Sequence, residues 1–241
     1  MKPYSVDPDT AMEQWEALVA QLKTLGIKVD VIDQKEGVPD MVFAADQGIV
    51  RDGAVLLANF RYTQRKPERV HYRTWFRDHG FRLRALSNVF PFEGGDALFF
   101  NNMLFVGTGY RASISSCEEL AAKLEIDVMP LRLVDPYYYH LDMCFLPINE
   151  DTAFYYPPAF SENSQNLLKR LVPNLLELST SAAKAYASNS LVSGTDIIIP
   201  AGTPAAFSAK LKELGLAVHV VDTSEFNKAG GGIRCLINTL E

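Results

Sequence analysis

Apolar and polar positions alternate along this chain in two periods. Between Asp7 and Gly26, Ala11, Trp15, Leu18, Val19 and Leu22 share one helical face. Cap-type Asp and Thr open the stretch and Gly26 closes it, which predicts a helix. The next six residues, "IKVDVI", alternate as a strand does. At the other end, "LINTL" after Cys235 reads as a buried strand. Four intervening stretches share one plan: "FAADQGIVRDGAVLLANF", "FEGGDALFFNNMLFVGTG", "YHLDMCFLPINEDTAFYYP" and "SNSLVSGTDIIIPAG". Each joins two short apolar runs through a polar turn of Asp, Asn, Ser, Thr or Gly, the pattern of a hairpin.

A helix-like stretch follows each hairpin: "PERVHYRTWFRDHG", "SISSCEELAAKLE", "SENSQNLLKRLV" and "TPAAFSAKLKELG". A further strand follows each helix: "FRLRAL", "DVMPLRLV", "NLLELST" and "AVHVVD". The hairpins begin near Ala45, Glu93, His140 and Ala187, and the glycine-rich segment from Gly230 reads as a truncated fifth. Steps of roughly 45 residues suggest a repeat architecture. The expected fold is α/β: a five-unit ring of hairpin, helix and strand, with strands central and helices outside. The competing reading is an ordinary α/β sheet with accidental spacing. The ring is preferred because the chemically interesting polar residues all fall at unit starts.

Composition narrows the function. The 241 residues are 48% hydrophobic and 22% charged, enough to bury a good core. No linker or low-complexity segment stands out, so residues 1–241 are expected to form one domain. The net charge of −6 argues against nucleic acid as a partner, since phosphate binding wants a basic face. No stretch is long and apolar enough to span a bilayer, and no signal-peptide pattern opens the chain. A cytoplasmic location is expected. The cysteines, Cys117, Cys144 and Cys235, are odd in number and widely spaced. They form neither a disulfide framework nor a zinc pattern. Cys117 and Cys144 read as small buried hydrophobes.

The unit starts carry Asp46, Glu93 with Asp96, His140 with Asp142, Asn189 and Cys235. Singly, each has a bland role: a turn cap, a polar loop, a structural histidine. Placed at equivalent ends of a ring, they would converge on one pocket. Cysteine, histidine and a carboxylate suit covalent catalysis by a thiolate. Surplus carboxylates suit a flat, donor-rich cation, and a guanidinium is such a group. Bound there, it would also lower the thiol pKa. The aromatic stretches "DPYYYH" and "FYYPPAFSE" are expected to pack between units rather than line the pocket.

The ordered motifs "MVFAADQG", "FEGGDAL", "GTGYRAS", "HLD" and "GGGIRCL" resemble those of the guanidino-group-modifying enzymes. That superfamily includes dimethylarginine dimethylaminohydrolase, arginine deiminase and the amidinotransferases. The resemblance covers nearly the whole chain and implies a five-bladed α/β propeller. It implies Cys235 as nucleophile, His140 as general acid/base, and Glu93 as a contact to the guanidinium and the imidazole. Asp46 and Asp142 would hold guanidino nitrogens, and Arg111 is the candidate for the substrate α-carboxylate. Asn189 is the weakest candidate, and Asp96 is expected to tie its hairpin. "FAAD" stands where close relatives tend to read "FTAN", which aligns Asp46 with the deiminase and dimethylargininase pattern. Family members usually carry a strand upstream of the first helix, whereas this chain starts at "MKPYSVDP".

The function this implies is hydrolysis of a C–N bond in arginine or N-methylated arginine, with no metal and no cofactor. An amidinotransferase and a non-catalytic arginine-binding protein are the alternatives. The expected partner is a small guanidino substrate; a homodimer is left open.

Overall fold

The first helix, α1 (Pro8–Thr24), forms where the apolar period places it. Asp7 caps it by accepting the Thr10 N–H at 2.8 Å, and Gly26 beyond its end takes a φ of +76°. These features come from a computed structural model of the protein that describes residues 5–87 and 89–240.

Four three-stranded sheets follow, each built alike. The first joins β1 (Gly48–Arg51), β2 (Ala54–Leu57) and, after helix α2 (Glu68–Asp78), β3 (Arg82–Ala85). The second holds β4 (Ala97–Phe100), β5 (Met103–Thr108) and, after α3 (Ile114–Leu124), β6 (Asp127–Arg132). The third holds β7 (Phe145–Pro147), β8 (Thr152–Tyr155) and, after α4 (Glu162–Leu171), β9 (Asn174–Glu177). A short helix, α5 (Thr180–Lys184), leads into the fourth: β10 (Leu191–Ser193), β11 (Asp196–Pro200) and, after α6 (Ala205–Glu213), β12 (Ala217–Val221). In every sheet the hairpin is antiparallel, and the third strand runs parallel to the hairpin's second strand. A parallel partner needs a crossover, and the helix supplies it. A last short helix, α7 (Ser224–Asn227), precedes the glycine-rich segment.

The turn residues explain the hairpins. Asp52 and Gly53 both take positive φ, 50° and 68°, as a primed two-residue turn requires. Asn101 and Gly194 do the same at the second and fourth hairpins. The hairpin's second strand is the middle strand of each sheet and is the most buried: Leu104, Phe105 and Val106 are fully enclosed, as is Ile197. Phe100, Phe105 and Phe145 pack with ring centroids 5.5–6.3 Å apart across the second and third sheets. Each such burial is worth about 1.5–3 kcal/mol. No described helix is long and apolar enough to cross a membrane.

Two expected strands do not form. "IKVDVI" has the burial of a strand, with Ile27 and Val29 packed on the α1 cluster and Ile32 on the α2 cluster. Its backbone joins no ladder among the described residues. Alternation records which side chains are covered, not whether a neighbour is hydrogen-bonded. "LINTL" departs further. The Leu236 N–H turns back to Gly232 and Ile233, and Ile237 to Arg234, so Cys235 rides on a tight turn. Asn238 then donates to the carbonyls of Ala44 and Gly48, both at 3.0 Å.

Short 3₁₀ turns, absent from the sequence reading, open the first three units: Ala44–Gln47, Gly94–Asp96 and Leu141–Met143. They aim Asp46, Asp96 and Asp142 inward just ahead of β1, β4 and β7.

Candidate active site

Asp46, Asp96, Asp142, Asn189 and Cys235 follow one another at steps of 50, 46, 47 and 46 residues. All five are buried. Their segments touch in sequence and close a circle. Gly94 lies against the carbonyls of Ala45 and Gly48, so tightly that a Cβ there would clash with both. Gly95 lies against the Asp46 carboxylate and the His140 ring, where a Cβ would come within 2.6 and 2.8 Å. Asn189 donates to the Asp142 carbonyl at 3.3 Å and accepts the Cys235 N–H at 3.2 Å. The Ala45 N–H completes the circuit on the Cys235 carbonyl at 3.1 Å.

A narrow cavity of about 60 Å³ opens here, lined by Asp46, Arg65, Arg111, Tyr139, His140 and Cys235 among others. On one wall, His140 Nε2 meets Glu93 Oε2 at 3.0 Å and its Nδ1 faces Asp46 Oδ1 at 3.4 Å. Burial opposes an imidazolium at this position. The neighbouring Asp46, Asp96 and Glu93 outweigh it, so the His140 pKa is raised. Burial likewise opposes the Glu93 carboxylate, but the bond to His140 and the charges of His140, Arg111 and Arg65 hold its pKa below the ordinary range. The two groups therefore rest as an ion pair.

On the opposite wall, Cys235 Sγ lies 3.4 Å from Asp142 Oδ2 and 3.1 Å from Asn189 Nδ2. Burial first, then Asp142 and Asp46, push the Cys235 thiol well up. Burial, with Asp46 nearby, also raises Asp142, to about 6 against the pull of His140, Arg234 and Cys235. Asp46 Oδ1 and Asp142 Oδ1 are both enclosed, and neither has a hydrogen-bond partner among the described residues. A buried carboxylate oxygen without a hydrogen bond is costly, so Asp142 Oδ1, on the carboxylate that touches the sulfur, and Asp46 Oδ1, which has only His140 Nδ1 facing it at 3.4 Å, mark a place for a donor-rich cation.

The glycines ahead of the cysteine now have a reason. Gly230 takes a φ of +93°, and its carbonyl accepts the Tyr139 hydroxyl at 3.0 Å. A Cβ on Gly231 would run into the Phe43 ring. The backbone needs both residues to carry Cys235 to the cavity.

All six sequence-selected residues, Asp46, Glu93, Arg111, His140, Asp142 and Cys235, gather in this one region. Arg111 does so with its NH1 on Glu93 at 2.9 Å and its guanidinium between the rings of Tyr62 and Tyr139, 4.6 Å from each. Asp96 does not tie its hairpin. Both carboxylate oxygens lack a partner among the described residues, and burial pushes its pKa well up. Most of the tyrosines pack as expected, Tyr138, Tyr155 and Tyr156 being core residues; Tyr139 instead lines the cavity.

Arg65 was missed. Its guanidinium is buried over the Phe60 ring at 4.6 Å and binds Asp46 Oδ2 at 2.6 Å. Glu68 grips it twice, at 2.9 Å each, and Gln47 in turn holds Glu68 at 2.6 Å. "RYTQRKPE" looks like a solvated basic loop, and no local signal sets Arg65 apart from Arg61 or Lys66. Asp46, Glu93 and His140 also bring one ligand atom each within 4.8 Å of one another, the spacing of a metal site. Arg65 and Arg111 already supply positive charge to those two carboxylates.

Comparison with known proteins agrees with this geometry. A family model described as eukaryotic N,N dimethylarginine dimethylhydrolase matches residues 2–241. The N(G),N(G)-dimethylarginine dimethylaminohydrolase of Mycobacterium tuberculosis is 34% identical over 230 residues, 95% of this chain and 76% of that protein. The bifunctional arginine dihydrolase/ornithine cyclodeaminase ArgZ of Synechocystis is 36% identical over 233 residues, 95% of this chain. The match covers 33% of ArgZ, so this chain corresponds to a third of that protein's length. The crystal structure of the ArgZ N-terminal domain, covalently bonded to a reaction intermediate, matches with a TM-score of 0.96 at 33% identity, over 99% of this chain and 89% of that one. With its fold, its pocket and its sequence in agreement, the chain belongs to the dimethylarginine dimethylaminohydrolase family of the guanidino-group-modifying superfamily.

Proposed function

We propose that this protein is a hydrolase that cleaves a C–N bond in the guanidino group of arginine or an N-methylated arginine, releasing citrulline and ammonia or an amine. The observation that carries this reading is the pair of buried carboxylate oxygens without a hydrogen bond, Asp46 Oδ1 and Asp142 Oδ1, on the two aspartates whose charges bear on the Cys235 sulfur. Carboxylates in that position take N–H groups from opposite ends of a planar cation and hold its carbon facing Sγ. The bound cation offsets the two aspartates that hold the thiol up, and so favours the thiolate.

The Cys235 thiolate then attacks the guanidino carbon, forming a C–S bond. The C–N bond to the departing nitrogen breaks as His140, already an imidazolium, gives that nitrogen a proton. A thiouronium remains on Cys235. Neutral His140 next takes one proton from water, whose oxygen attacks the same carbon; the C–S bond breaks with its electron pair going to sulfur, the second water proton passes to that sulfur, and citrulline leaves with Cys235 again a thiol and His140 again an imidazolium. Glu93 steadies the imidazolium throughout. Arg111, which lines the cavity, would receive the substrate α-carboxylate. Support for the covalent step comes from the related ArgZ domain, captured bonded to a reaction intermediate.

The circle of contacts from Ala45 to Cys235 supports a five-bladed propeller, with four blades from the sheets and a fifth from α1 and the two terminal segments. It likewise supports residues 1–241 as one domain. The test is a citrulline and amine assay across arginine, monomethylarginine, dimethylarginine and agmatine. Citrulline from at least one amino-acid substrate is expected. Turnover only when glycine or ornithine is added as acceptor would overturn hydrolysis in favour of transfer. Tight arginine binding without any product would make the protein a binder.

A further inference from the structure

Asn189 received the least weight of the unit-start residues, yet its side chain is wholly enclosed and both ends of its amide are directed at Cys235. Oδ1 accepts the Cys235 backbone N–H at 3.2 Å. That bond fixes which end of the amide is oxygen, because a nitrogen there would face another donor. Nδ2 must then point the other way, toward Cys235 Sγ at 3.1 Å and the Asp142 carbonyl at 3.3 Å.

The residue is held firmly. Its own N–H reaches the Tyr186 carbonyl at 2.8 Å, and its carbonyl accepts the Arg234 N–H at 3.1 Å. Ser188 and Ser190 on either side bond to the Met143 and Ala187 carbonyls. Gly232 leaves room for the amide, since a Cβ there would come within 3.0 Å of Oδ1.

We infer that Asn189 is a further catalytic residue, an N–H donor that aims the Cys235 sulfur and stabilises its thiolate. The inference rests on Cys235 being the nucleophile. Apart from the Gly232 backbone N–H, which also favours the thiolate, the rest of the sulfur's surroundings oppose a negative charge. Burial does so first, and Asp142 and Asp46 add to it, while Tyr139 and Tyr186 stand near with protonated hydroxyls. Arg65, Arg111 and His140 face the same cavity but have Asp46 and Glu93 as partners. A donor in direct contact with sulfur therefore carries weight in the resting protein, before a substrate cation arrives. Hydrogen bonds to charged groups are worth about 1.5–3 kcal/mol, or roughly 10–100-fold in the thiolate equilibrium.

The test needs no turnover. Iodoacetamide capture of Cys235 is followed against pH in the whole chain, by mass spectrometry of the Cys235 peptide, which separates it from Cys117 and Cys144. In Asn189→Ala the midpoint is expected to rise by about one to two pH units. Asn189→Asp keeps an acceptor for the Cys235 N–H and loses the donor, so it guards against simple collapse of the loop. Its midpoint should rise at least as far. A wild-type midpoint in either folded variant overturns the inference. So does a lowered kcat with an unmoved midpoint, since that is the mark of a residue that only braces the loop. Wild-type protein that makes no product from any guanidino compound would instead defeat the functional reading, whatever the alkylation profile.

Discussion

The two sides of the cavity differ in how far their charges are paired. Around His140 every charge has found a partner: Glu93 on the ring, Arg111 on Glu93, Arg65 on Asp46 and Glu68. Around Cys235 the Asp142 carboxylate touches the sulfur through one oxygen, its other oxygen has no hydrogen-bond partner, and no cation touches the sulfur among the described residues. The first wall is finished without substrate. The second is under-satisfied, and under the proposed function a bound guanidinium would supply the donors that the fold itself does not.

The sharpest way to break the contrast is to remove the sulfur. Cys235→Ser should abolish citrulline formation while a thermal-shift assay still registers arginine, because the two unpaired oxygens remain. Next in size, His140→Gly should lower turnover about 10²–10⁴-fold with circular dichroism unchanged, removing the proton carrier but not the pocket. Full turnover in either variant would refute the assignment of the walls.

Asp142→Asn tests the unsatisfied wall directly. Apparent arginine affinity at neutral pH should fall roughly 10–100-fold, the worth of a bond to a charged group. Stability should move the other way. The Asp142 pKa is raised to about 6 in the fold, so the native protein binds more protons here than the unfolded chain. The stability this lends is full below about pH 4 and is lost as pH rises through about 6. Above that, the variant should melt higher than the wild type and the difference should vanish in acid. A lower melting temperature at pH 7.5 would show that the charged aspartate is already compensated. The smallest effect is expected from Arg111→Lys on the finished wall. KM for arginine should rise several-fold as the planar fork is lost, with agmatine, which lacks the carboxylate, unaffected. Equal losses on both would place Arg111 with the imidazole rather than the substrate.

Much of this was legible in the sequence because it depends on local chemistry. Asp52-Gly53, Asn101-Asn102 and Gly194-Thr195 announce hairpins by the backbone angles they permit. The helices follow from apolar spacing and Ser or Asp caps. The residues that gather at the cavity were legible because motifs keep their order along the chain. Arg65 was not, since its burial is created by Asp46 and Glu68 at distances only the fold sets. The 3₁₀ turns at the unit starts were missed for lack of periodicity in three or four residues. "IKVDVI" and "LINTL" misled because side-chain cover and strand pairing usually coincide, and here they part.

Because five successive segments each add a buried side chain to the circle around the cavity, a fragment that lacks one of them leaves a neighbour's contact open. Slippage anywhere on the perimeter reaches the sulfur through a neighbour's backbone: Ala45 leans on Cys235, Cys235 on Asn189, Asn189 on Asp142. The proposed turnover would then act as a coincidence detector for correct assembly, silent until every sector has docked and the first to fail when one lets go.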